Sequence, residues 1–278
     1  MSKDEISRRE LLKILAAGAA TAGVLAGCES LKGKKVKPEF QGNPILGITA
    51  LPQSGPWPTQ DPFLFCVHHN DQYPKGTQAC APAANLEGRQ IGQDFSGLQG
   101  WSMYHGETVP GFPRHPHRGF ETVTVVKQGI IDHSDSLGAS ARYGHGDVQW
   151  LTAGNGINHA EMFPLLETEQ ANPMDFFQIW LNLPAKDKRV EPHFSMFWKD
   201  SIPKVKHTDK SGKTTTAQIT SGDYGSVDAL KPPPNSWASN PDNHVAIWTI
   251  ELEPGAQWTL PATHAKVSRN LYLVEGNP

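Results

Sequence analysis

Cysteine is scarce in this sequence, with three in 278 residues. That scarcity argues against a closed structural zinc site, which more often uses cysteines in a tetrahedron. Charge of one sign is missing too. Lys and Arg total 25 against 28 Asp and Glu, a net charge of −3, so there is no electrostatic case for binding nucleic acid. After the first thirty residues no apolar run approaches the roughly 20 residues that cross a bilayer as a helix. Nor does any stretch of the first half sustain a long helical period. Glycine (26) and proline (23) are plentiful instead, and together they predict many turns and short strands.

The first residues stand apart. Arg8–Arg9 with Leu11, Leu12 and Lys13 precede the small-residue apolar run "ILAAGAATAGVLAG", and Cys28 follows. A charged start, an apolar stretch too short to span and small residues at its end describe an export signal. The arginine pair resembles a twin-arginine signal, and "LAGC" (Leu25 to Cys28) a lipobox. Residues 1–28 are therefore expected to be an export leader, with Cys28 lipidated, on the periplasmic or envelope side of a bacterial membrane. The lipid is the only membrane attachment expected. Cys66 and Cys80 remain; outside the cytoplasm they are compatible with a disulfide, with two buried thiols and a metal role as alternatives.

Residues 29–45 are basic, polar and turn-rich, and read as a tether. Residues 46–183 follow as short strand-like runs between Gly and Pro, among them "FETVTVV" (Phe120 to Val126), "VQWL" after the turn "GHGD", and "FFQIWLNL" (Phe176 to Leu183). Residues 184–278 hold a connection, the short strand "TTTAQIT", and a second strand series from "HVAIWTIEL" to "NLYLVEGNP". The last strand leads to a turn with no partner strand after it, which reads as a fragment of a longer second domain.

Two short motifs carry the chemistry, "RHPHRGFE" (114–121) and "GINHAEMF" (156–163). Side chains two apart on a strand share a face. His115 and His117 therefore aim together, and so do His159 and Glu161. Brought side by side inside a barrel, they make four convergent donors, a set that suits Fe(II), Mn(II), Ni(II), Cu(II) or Zn(II). Four protein ligands leave two positions open on an octahedral ion. His105, His133 and His145 are rival ligands read as having no i+2 partner, and are expected at the surface or in loops. His68 and His69 are adjacent, so their side chains diverge.

"GFPRHPHRGFETVTVV" followed by "GHGDVQWLTAGNGINHAEMF" resembles the pirin family of the cupin superfamily. "QIWLNLPAKDKRVEPHF" is similar to that family's link between barrels, and the resemblance covers roughly residues 45–278. It implies an all-β bicupin, two antiparallel jelly-roll β-barrels, the second incomplete here. It also implies one divalent ion, Fe(II) first, on His115, His117, His159 and Glu161. Glu121 matches the general cupin glutamate, which in pirins is generally not a ligand, so an outer or structural role is expected for it. The second barrel's stretch offers only His264 and is expected to be metal-free.

Several pirins resemble quercetin 2,3-dioxygenases, which cleave a flavonol ring with O2 and release carbon monoxide. On that expectation Glu161 accepts the flavonol proton. Phe120, Trp150, Met162 and Phe163 are candidates to line a pocket for a small aromatic substrate, with core packing as the alternative for each. A non-catalytic, metal-dependent binding or regulatory protein is the competing expectation. The chain is expected to be a monomer.

Overall fold

The computed structural model describes residues 45–52 and 55–276, and of the preceding residues only the backbone of 13–16. The arginine pair at 8–9 and Cys28 lie outside the described residues. Two units are distinguished, 55–261 and the remainder. In the latter, β1 (Lys13–Ala16) pairs antiparallel with β14 (Arg269–Tyr272).

Residues 55–261 are built from antiparallel sheets, and the only helices among the described residues are short 3-10 turns. The elements are β2 (Phe63–Tyr73), β3 (Gly111–His117), β4 (Phe120–Gln128), β5 (Ile130–Asp135), β6 (Ser140–Gly144) and β7 (Val148–Thr152). After them come β8 (Ile157–Met162), β9 (Asn172–Asn182), β10 (His193–Phe197), β11 (Lys204–Thr208), β12 (Thr214–Ser221) and β13 (Ile247–Leu252). One sheet runs β10-β7-β4-β9-β2, a second β3-β8-β5-β6, and a third β11-β12-β13. The first two form the jelly-roll expected from the sequence, and the strands read from "FETVTVV", "VQWL", "FFQIWLNL" and "TTTAQIT" are all present.

Strand β4 shows why the layers stack. Its residues 121–126 are buried throughout, so it has no solvent face. Val126 packs with Ile131, Tyr143, Phe163 and Phe176 on one side. Val123 and Val125 pack with Trp150, Phe197, Val245 and Ile247 on the other. Thr122 and Thr124 share the first side by alternation, Glu121 the second. The first side is the interior between the two jelly-roll sheets, where Thr124 reaches Glu161 of β8. The second side is core.

Beyond β2, residues 74–110 form a long connection stapled by a buried ion pair. Arg89 donates to Asp94 at 2.7 Å and to the Trp101 carbonyl at 2.8 Å, with its guanidinium 3.4 Å over the Trp101 ring. Both charged side chains are wholly buried, so their pairing and hydrogen bonds offset the desolvation that isolated buried charges would suffer.

The disulfide is not formed: Cys66 and Cys80 are both free. Cys66 is buried in mid-β2, seven residues before that strand ends at Tyr73. At about 3.3 Å of rise per residue, the strand carries the chain far from Cys66 before it turns. Cys80 then lies at the opposite end, its carbonyl accepting from the Leu165 N–H. Bridged cysteines need Cα atoms within about 7 Å.

Candidate metal centre

Strand pairing assembles the cluster. β3 lies antiparallel to β8 with His115 directly opposite His159, and opposed residues share a face. His117 joins by alternation. The close approach of β3 at its start depends on Gly111, which has φ +130°; a Cβ there would stand 2.5 Å from the Glu161 carbonyl oxygen. A bulge between Phe112 and His115 then shifts the register and brings the two histidine strands into line.

Three Nε2 atoms converge. His115 Nε2 is 2.9 Å from His159 Nε2 and 3.2 Å from His117 Nε2. Burial, and then the neighbouring imidazoles, hold His117 and His159 down to about 3. Both are therefore neutral at pH 7, with a nitrogen lone pair to offer. His115 Nδ1 lies 2.8 Å from the Pro113 carbonyl. It must be the N–H donor there, which leaves the His115 Nε2 lone pair facing the cluster.

The donor set fits a divalent cation. Two nitrogens about 2.1 Å from one ion at right angles stand about 3.0 Å apart, the spacing found here. Among the described residues these three histidines are the one group of three or more potential ligands that converges in this way.

Glu161 stands at the edge of the cluster. Its Oε2 is 4.0 Å from His159 Nε2 and accepts from Gln178 Nε2 at 2.8 Å, while Oε1 is 3.4 Å from Thr124 Oγ1. The carboxylate is thus shared between the histidines and two polar residues of the facing sheet. Phe120 and Trp180 supply an aromatic wall, with ring centroids 4.9 and 5.3 Å from that of His117 and 4.3 Å from each other. Phe65 extends it, 4.1 Å from Trp180.

Glu121 and three of the expected pocket residues lie away from the site. Glu121 faces the opposite side of the sheet, where Trp150 Nε1, Thr152 Oγ1, Ser236 Oγ and the Trp237 N–H donate to it at 2.8–3.0 Å. It is an outward anchor for the segment at 236–239, and burial raises its pKa. Trp150 is fully buried beside it, in the core rather than a pocket. Met162 follows Glu161 by one residue and so takes the other face of β8. Phe163 is core as well. Of the expected pocket residues, Phe120 alone reaches the histidines.

His133, expected at the surface, is 3% exposed. Its Nε2 donates to Asp135 Oδ2 at 3.0 Å, and its Nδ1 accepts from Gln149 Nε2 at 2.8 Å. Its ring centroid stands 5.3 Å from that of His159. The available signal was "HSD" (133–135), a histidine and a carboxylate in strand alternation. Gln178 and Trp180 were missed because "QIW" in an apolar strand reads as core. His68 and His69 do diverge, His68 stacking on Phe177 and His69 on Phe176. His105 and His145 are exposed.

A family model described as pirin matches residues 53–181. The chain is 37% identical over 150 residues to a Pseudomonas aeruginosa protein named "Putative quercetin 2,3-dioxygenase", covering 54% of this chain and 49% of that one. It is 34% identical over 175 residues to the pirin of Homo sapiens, covering 63% and 54% respectively. Among solved structures it is similar to a quercetin 2,3-dioxygenase from Acinetobacter baumannii, with a TM-score of 0.46 at 26% identity over 62% of this chain and 49% of that one. The chain thus spans about half the length of the curated relatives it matches. Residues 53–181 are thus similar to the pirin family.

Proposed function

We propose that this chain is a metal-dependent oxidoreductase of the quercetin 2,3-dioxygenase type, acting on a flavonol or a related polyphenol with O2. The observation that carries the reading is one constellation. Three imidazole nitrogens, two of them on buried histidines, converge within 2.9–3.2 Å, a carboxylate stands 4.0 Å from one of them, and an aromatic wall adjoins a second. A divalent ion, Fe(II) in our reading, held by His115, His117 and His159 with Glu161 as fourth ligand, would supply charge stabilisation for a phenolate and a redox centre for dioxygen.

The residues themselves do the rest. Phe120 and Trp180 offer apolar faces against which a flat polyphenol stacks, which fixes its hydroxyl edge toward the histidines. Glu161 takes the proton from that hydroxyl on a carboxylate oxygen. The Gln178 N–H keeps the carboxylate oriented while it does so. Holding both reactants in one site removes much of the entropic cost of their encounter. In balance, flavonol and O2 yield a ring-opened ester and carbon monoxide.

The test uses the iron-loaded chain with quercetin in air. Consumption of the flavonol absorbance with one carbon monoxide released per quercetin is the expected result. Full iron content without flavonol loss would remove the dioxygenase reading and favour a metal-dependent binding or regulatory role.

We further propose that residues 1–28 direct export, that 29–45 tether a metal-binding domain at 46–183 and a second cupin-like domain from 184, and that the protein works as a lipid-anchored monomer. The Cys28→Ala chain, expressed in a bacterium with its leader intact, is expected to leave the membrane fraction for the soluble one. Unchanged membrane association would remove the lipid-anchor reading.

A further inference from the structure

Glu161 is the group whose position decides how the cluster works, and its neighbours hold it to different degrees. His159 Nε2 is 4.0 Å from Oε2, and Thr124 Oγ1 is 3.4 Å from Oε1. Gln178 Nε2 stands 2.8 Å from Oε2, and the buried Tyr143 hydroxyl also faces the carboxylate. Gln178 and Trp180 are two apart on β9 and so share its inward face. The Gln178 side-chain oxygen, Oε1, lies 3.4 Å from the indole Nε1 of Trp180.

That second contact sets the sense of the amide. An indole N–H can only donate, so the atom facing it is the amide oxygen, and the NH2 must turn toward Glu161. The reverse orientation would set N–H against N–H at Trp180 and oxygen against carboxylate at Glu161. The aromatic wall thereby fixes which end of Gln178 the carboxylate meets.

We propose that Gln178 is the positioning residue for Glu161. Its N–H holds the carboxylate at the edge of the three-histidine cluster and so sets how strongly Glu161 takes part in binding the ion. Trp180 keeps the Gln178 amide turned the right way. The inference rests on the assignment of His115, His117 and His159 as ligands and goes beyond it by naming the residue that governs the fourth group.

The experiment is a double-mutant cycle read by cobalt(II) binding, with no substrate present. Outer partners of metal ligands typically contribute about 10- to 100-fold in affinity. Gln178→Met keeps the bulk and removes the donor; it is expected to weaken cobalt binding by about 10-fold and to shift the visible absorption of the bound cobalt. Gln178→Glu keeps the length but sets a second carboxylate against Glu161, and its loss is expected to be larger. In a Glu161→Ala background neither Gln178 substitution should change affinity or spectrum further. Circular dichroism on each variant confirms that the folded chain is being compared.

Wild-type affinity and spectrum in both Gln178 variants would overturn the proposal. So would losses of equal size with and without Glu161, which would mean that Gln178 acts through the fold. A wild-type chain that binds no cobalt overturns the histidine assignment and this inference with it. Coupling as expected, in a protein that leaves quercetin untouched, supports the positioning role and removes the dioxygenase reading alone.

Discussion

His159→Ala is expected to purify without its metal. His159 is the meeting point of the site: its Nε2 is 2.9 Å from His115 Nε2 and 4.0 Å from Glu161 Oε2. Removing it leaves two imidazoles on one strand and a carboxylate held by Gln178. Losing an outer partner already costs up to about 100-fold in affinity, and loss of a ligand should exceed that. Elemental analysis of wild type, His117→Ala and His159→Ala, purified side by side, measures the effect. Full metal content in either variant removes the proposed ligand set. Acidification has the same target. Because burial and mutual proximity hold His117 and His159 down to about 3, protons compete for these two nitrogens at lower pH than in an exposed histidine cluster. Below that point protonation removes the lone pair and the ion leaves.

Trp150→Ala should damage the fold and spare the metal. The indole is fully buried among Val123, Val148, Leu181 and Phe197, and its Nε1 is one of four donors to buried Glu121. Truncating a buried aromatic costs about 3–5 kcal/mol, and a weakened Glu121 anchor adds to it. For a domain of this size that corresponds to a fall of roughly 10 °C in Tm. Below the transition, metal per folded chain should match wild type, since Trp150 lies on the far side of the sheet from the histidines. A variant with native Tm but reduced metal or flavonol turnover would restore Trp150 to the pocket.

The Trp150 case shows where the sequence could be read and where it could not. "HPH" and "HAE" were legible because alternation along one strand is a local rule: residues two apart share a face in whatever sheet the strand joins. The same rule separates Glu161 from Met162. It would also have set Glu121 and Trp150 apart from Thr122 and Thr124, had it been known which face of β4 and β7 looks inward. Both faces are buried, so no polar edge in the sequence marks the inner one. The disulfide expectation failed for a related reason. Two cysteines fourteen residues apart look close in sequence, but an extended strand separates the places they occupy.

By itself the sequence determined the all-β class, the strand and turn order of the first half, and the pairing of imidazoles within each motif. These follow from composition, glycine and proline placement and strand periodicity, which act over a few residues. Tertiary structure alone decided that His115 faces His159, that Glu161 stands off with Gln178, and that His133 lies buried against the cluster. It also decided that Phe120 and Trp180, rather than Trp150 and Met162, make the aromatic wall. Those outcomes depend on sheet register, a bulge between Phe112 and His115, and which side of a doubly covered strand faces the second jelly-roll sheet. They are set by packing between segments far apart in the chain, and no local pattern encodes them.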